Sequence, residues 1–167
     1  MGNCFSQSAS CQRPLLIMIG LDAVVKLLYY TNQDQEQWKA QLQQQDIIQN
    51  KYQGYWRSRQ LRNLWKHYMK NSKGIIYIID CSDKERMDET KSELYRMLLN
   101  PLMLGQPHLI YSNKQDLVKM KSEELEVELN INKICKNWHI QPSSSITGEG
   151  LQEGLNWIQE QLQLQLK

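Results

Sequence analysis

No stretch of the 167-residue chain approaches the roughly 18 consecutive apolar residues of a membrane-spanning helix. No two of its four cysteines, Cys4, Cys11, Cys81 and Cys135, stand in C-x-x-C. The three histidines, His67, His108 and His139, do not cluster with them. That spacing argues against a zinc site, and a chain this long needs no disulfide framework. An excess of one charge is missing too. Twenty basic residues against 18 acidic ones leave a net +2, too mild for the basic face that a nucleic-acid partner calls for. The first residues, MGNCFSQSASCQRP, are polar and contain no secretory leader. No segment repeats. These absences together imply an intracellular protein in a reducing compartment.

The composition is that of one compact domain. Apolar residues make up 41% and charged residues 23%, and a domain of this size buries about 70% of its unfolded surface. Leu15–Ile19, Ile75–Ile79, His108–Ser112 and Trp138–Gln141 are short, nearly continuous apolar runs bounded by Gly, Asp or Pro. Such runs fit strands buried on both faces, hence a parallel sheet. Between them lie helical patterns. One is capped by Ser82-Asp83 and carries Met87, Leu94, Met97 and Leu98. One opens at Ser122-Glu123-Glu124 and carries Leu125, Val127, Leu129 and Ile134. One follows Gly148-Glu149-Gly150 and carries Leu151, Leu155, Trp157, Ile158 and Leu162. Strands alternating with helices predict an α/β fold. Residues 33–45 hold seven Gln, which reads either as an extension of a helix after the first strand or as a polar low-complexity insertion.

Two places carry chemistry. The first strand runs into GLDAVVKLL, Gly20 to Leu28. A phosphate-binding loop needs G-x-x-x-x-G-K-[ST] between a strand and a helix. Gly20 and Lys26 stand at their positions, but Val25 replaces the second Gly and Leu27 the hydroxyl. A β-branched Cβ obstructs the approach of backbone N–H groups to phosphate, and an isobutyl group cannot ligate Mg²⁺. The third strand ends in Asn113-Lys114-Gln115-Asp116. An Asp carboxylate there can accept hydrogen bonds from guanine N1–H and the exocyclic amine, a donor pair that adenine lacks. The Lys stem can lie along the base, and Asn113 can tie the loops together.

The start MGN, LIMIGLDA, LRNLWKHYMKNSKGIIYIIDCSDKERMDETKSELYRML, NKQDL and WHIQPSSSITGEGLQEGLNWI together resemble the Arf/Arl (ADP-ribosylation-factor-like) branch of the Ras-like small GTPases. The resemblance covers most of the chain outside residues 27–60. It implies a Ras-like three-layer α/β fold with a mostly parallel sheet and a shortened switch and interswitch region. It divides the chain into a lipid-modified polar segment, residues 1–13, and a GTP-binding domain, residues 14–167. It carries nucleotide-binding roles to Gly20, Asp22, Ala23, Lys26, Asn113, Lys114, Asp116 and Ser145, with the Ser145 N–H expected to meet guanine O6.

The departures fall on one side of that site. The family's W-D-x-G-G-Q segment has no counterpart. Without gaps Gly54, Trp56, Arg57 and Ser58 take the places of its Asp, two Gly and Gln, and a gapped alignment offers only Gln60. Phosphoryl transfer is almost wholly positioning and electrostatics, so no catalytic residue or metal ligand is assigned. GTP or GDP is expected to bind weakly and without firm Mg²⁺ dependence. The alternative is a pseudo-GTPase, an interaction module that binds no nucleotide. Met1-Gly2-Asn3-Cys4-Phe5-Ser6 fits the N-myristoylation pattern, with acylation at Gly2 and palmitoylation at Cys4. One acyl chain binds a membrane only marginally and two anchor stably. The expectation is a monomer on the cytoplasmic face of an intracellular membrane, the Golgi or another, with a cytosolic pool. There it would act in membrane traffic through effector or regulator proteins that the sequence does not name.

Overall fold

The computed structural model describes residues 15–20, 26–29, 69–70 and 72–165. Five strands, β1 (Leu15–Gly20), β2 (Lys26–Tyr29), β3 (Ser72–Asp80), β4 (His108–Asn113) and β5 (Trp138–Pro142), form one sheet in the order β2-β1-β3-β4-β5. The last four of that order run parallel, and β2 is antiparallel to β1. Helices α1 (Met87–Leu98), α2 (Ser122–Leu129) and α3 (Leu151–Gln165) connect and follow the strands, with short 3₁₀ turns at Pro101–Met103 and Ile131–Lys133.

Strand alternation divides the core into two layers. Ile17, Ile19, Ile75, Tyr77, Ile79 and Ile110 share one cluster with Met87, Leu94, Met97 and Leu98 of α1 and with Leu125 and Leu129 of α2. On the other face Leu16, Met18, Ile76, Ile78, Leu109 and Tyr111 meet Leu151, Leu155, Ile158 and Leu162 of α3. This is the three-layer α/β arrangement expected, and both faces of the central strands are dry. Val127 is 80% exposed. It lies two residues from each of Leu125 and Leu129, on the opposite side of the helix.

Two contacts fix α3 against the sheet. The buried Tyr111 hydroxyl donates to the Leu151 carbonyl at 2.6 Å. Gly154 lets the helix close on that ring, since a Cβ there would lie 2.6 Å from Tyr111 Cε1. Elsewhere in the core His108 is 2% exposed, and burial pulls its pKa down to about 4 despite a hydrogen bond with the Met103 backbone. His139 stacks on Trp157, ring centroids 5.2 Å apart, which is a packing role for both.

One element corrects the sequence reading. A helix is expected after the first strand, yet Lys26–Tyr29 is a strand whose register pairs Lys26 with Met18 and Leu27 with Ile17. The local composition explains it. Val24-Val25-Lys26-Leu27-Leu28-Tyr29-Tyr30 is rich in β-branched and aromatic residues, which favour a pleated, half-buried surface. With Val25 in place of Gly, the tight turn that would launch a helix at Lys26 is disfavoured. The Gln-rich tract at 33–45 and the switch positions through Gln60 lie outside the described residues, as do Trp38, Trp56, Trp65 and His67.

Candidate functional site at the carboxyl ends of the strands

The carboxyl ends of β1, β3 and β4 line up. Gly20 pairs with Ile78, and Asp80 pairs with Asn113. Ligands of open α/β sheets bind beyond this edge. Two loops meet there, residues 113–120 after β4 and residues 143–150 after β5. Their backbones are stitched together: Ser143 N donates to Ser112 O at 2.9 Å, and Gln115 N to Ser143 O at 3.1 Å. The Gln115 side chain secures the first loop from inside. Its amide donates to Ser112 Oγ at 2.7 Å, and its oxygen accepts from Met120 N at 3.0 Å.

Asn113 is buried, and its Oδ1 accepts from both the amide (3.0 Å) and the hydroxyl (2.9 Å) of Ser145. This is the loop-tying role expected of Asn113. The Ser145 N–H, expected to meet guanine O6, here donates to Asn113. Among the described residues no acceptor meets the next amide, that of Ile146. Asp116 is exposed, and its Oδ1 accepts from the Ser144 hydroxyl at 2.6 Å. Ser144 Oγ in turn accepts from Thr147 N at 3.2 Å, closing the turn that holds it. The carboxylate is therefore oriented through one oxygen, while the rest of its acceptor capacity faces outward.

Lys114 adopts a left-handed backbone, φ 63°, and its Nζ lies 2.6 Å from Asp80 Oδ2. Burial alone would raise the Asp80 carboxyl. Hydrogen bonds from Lys114 and from the Ser82 hydroxyl and amide, with the Lys114 charge, outweigh it and hold the pKa below the usual aspartate range. Asp80 is the member that sequence reasoning passed over; Ser144 stands in the Ser144-Ser145-Ile146 stretch that resembles the family's second base-contacting loop, and the structure adds its bond to Asp116. The register shows why Asp80 belongs: it is the Cα partner of Asn113, so the next residue after Asn113 reaches it.

The phosphate side is different. Gly20 is the buried last residue of β1, at the expected edge. Lys26 starts β2 at that same end of the sheet, but in a strand and not in the first turn of a helix. A helix N-terminus that would aim several N–H groups at a phosphate is thus missing at Lys26. Asp22, Ala23, Gly2 and Cys4 lie outside the described residues. Leu27 carries no oxygen to offer Mg²⁺. Among the described residues no three His, Cys, Asp or Glu side chains gather to hold a metal. A cleft of about 350 Å³ opens nearby, lined by Gln115, Lys119, Met120, Lys121, Pro142, Ser143 and Glu149. Neither Asn113 nor Asp116 lines it.

A family model described as the ADP-ribosylation factor family matches residues 6–162. Among solved structures, the chain is similar to the Arl6 BBS3 small GTPase from Trypanosoma brucei with the bound nucleotide analogue GppNp. The two are 29% identical at a TM-score of 0.58, over 64% of this chain and 68% of that one.

Proposed function

The chain belongs to the ADP-ribosylation factor family of small GTPases, and from that premise we propose that it holds guanine nucleotides chiefly by the base. The observation that carries this reading is the pair of stitched loops: Asn113 binds Ser145, and Ser144 orients the Asp116 carboxylate. Asp116 accepts from guanine N1–H and the exocyclic amine. Adenine offers no such pair and leaves the carboxylate unmatched. The phosphate groups gain little, because β2 stands where a helix N-terminus would be needed. Leu27 gives Mg²⁺ no ligand, and the W-D-x-G-G-Q positions hold no D-x-G-G, with Gln60 alone offered for the Gln by a gapped alignment. Hydrolysis is therefore negligible, and the γ-phosphate has little with which to order a switch. The protein works as a lipid-anchored recruiter of partner proteins in membrane traffic, acylated at Gly2 and Cys4, on the cytoplasmic face of an intracellular membrane.

One feature favours the second reading, an interaction module that takes no nucleotide. Lys114 is engaged by Asp80 and the Ser145 amide by Asn113, so polar groups of the site satisfy one another. A competition titration separates the two. Fluorescent GDP should bind and be displaced by unlabelled GDP but not by ADP. Absence of binding selects the module, and equal displacement by ADP would contradict reading of the base by Asp116.

A further inference from the structure

The cleft of about 350 Å³ along the two stitched loops has no task in holding a guanine base. One wall is pinned. Gln115 and Ser143 line it, and Gln115 N donates to Ser143 O at 3.1 Å. The Gln115 side chain is engaged by Ser112 and by Met120 N, so it shapes the cleft more than it binds in it. Ser143 differs. Its N–H donates to Ser112 O at 2.9 Å, yet its hydroxyl has no partner among the described residues, although the residue is only 1% exposed. Buried hydroxyls are ordinarily paired, and an orphan on a cleft wall points to a group that enters the cleft. The other wall is the start of α2. Lys121 is the N-cap residue and lines the cleft, but no side chain caps the helix. The first-turn amides of Ser122, Glu123 and Glu124 have no acceptor among the described residues, and such amides favour an anion. Lys119, Lys121 and Glu149 are exposed on the lining, and none has an ion-pair partner among the described residues. Met120 and Pro142 supply the apolar part.

We propose that this cleft binds a small organic monocarboxylate. Its oxygens accept from the Ser143 hydroxyl, from the Lys119 and Lys121 ammonium groups and from the first amides of α2, and its short apolar stem lies on Met120 and Pro142. Size and charge select that class. Small-molecule pockets run upward from about 300 Å³, so a cleft of about 350 Å³ takes a ligand of few atoms. Two lysines against one glutamate leave the lining a net +1, which one negative charge matches. A phosphate group carries nearly two at neutral pH, and the second would stand against Glu149. Neither Asn113 nor Asp116 lines the cleft, so its occupant and a guanine base are held by different residues.

The test is titration of the nitrogen-15-labelled full chain with sodium butyrate at constant ionic strength, followed by amide chemical shifts. Butanol and inorganic phosphate are the comparison probes. Butyrate should move the amides of Gln115, Ser143, Ser122, Glu123 and Glu124 saturably, and butanol should leave them in place. Phosphate should bind at least about fivefold more weakly than butyrate, and Glu149→Gln should narrow that gap. Ser143→Ala should weaken butyrate about tenfold, the loss of one hydrogen bond to a charged group. The hydroxyl has no partner within the described protein, so the fold does not need it, and an otherwise unchanged spectrum verifies that. Lys119→Gln with Lys121→Gln should weaken butyrate about fivefold, the yield of two exposed charges. Butyrate binding unchanged by Ser143→Ala would overturn the proposal. So would shifts scattered over the whole surface, or phosphate bound as tightly as butyrate.

Discussion

Asp116→Ala is expected to weaken GDP binding by about 100-fold and to erase discrimination against adenine nucleotides. Sites built around a hydrogen-bonded polar group discriminate by leaving it unmatched. Removing the carboxylate removes both the attraction for guanine and the penalty against adenine. Little else should change. Asp116 is exposed and accepts one hydrogen bond among the described residues, from the Ser144 hydroxyl at 2.6 Å, so unfolding free energy should fall by only about 1 kcal/mol. Titration with fluorescent GDP, alongside a denaturation curve, checks both numbers. An Asp116→Ala protein that binds GDP as tightly as the parent would remove the base side from the account.

The second large effect is on stability. Gly150 precedes α3 with φ +73°, and a Cβ there would stand 1.9 Å from the Pro142 carbonyl oxygen. The obstruction is backbone, so no side chain can rotate away. Gly150→Ala combines a left-handed residue with a forced shift of β5 against α3, and should cost about 4 kcal/mol or more. It should also disturb the 143–150 turn, where Ser144 N donates to Glu149 O at 3.0 Å, and with it the Asp116 partner. Gly105 is the matched control. Its φ is +79°, but a Cβ would meet nothing within 4 Å, so Gly105→Ala should cost only about 1–2 kcal/mol. Urea unfolding of the two variants gives the comparison. Equal losses would mean that backbone strain alone, and not the contact with Pro142, sets the cost.

The strands were legible because burial on both faces writes them as continuous apolar runs. β4 and β5 each extend one residue beyond the stretch expected. β3 begins three residues earlier, at Ser72-Lys73-Gly74, where the sequence is polar and only pairing with Leu15 and Leu16 makes a strand. The helix expected from Ser82-Asp83 becomes regular only at Met87. The two carboxylates nearby hold the amides ahead of it, Asp80 taking Ser82 N and Asp83 taking Arg86 N. β2 was missed because a phosphate-loop pattern implies a helix, while Val24-Val25 and Tyr29-Tyr30 favour a strand locally. At the site, Asn113 and Asp116 were readable as a short motif. The Lys114–Asp80 pair and the Ser144–Asp116 bond were not, since each joins residues far apart in sequence that only the sheet register brings together.

The central claim is that binding comes from the base and hardly from the phosphates. The direct measurement is calorimetric titration of the chain with GMP, GDP and GTP, each with and without Mg²⁺. A site reading mainly guanine predicts three affinities within about fivefold, or about 1 kcal/mol, and no tightening by Mg²⁺. GTP bound with Mg²⁺ orders of magnitude more tightly than GMP would contradict the account, and would mean that residues other than Leu27 and the β2 backbone hold the phosphates and their metal.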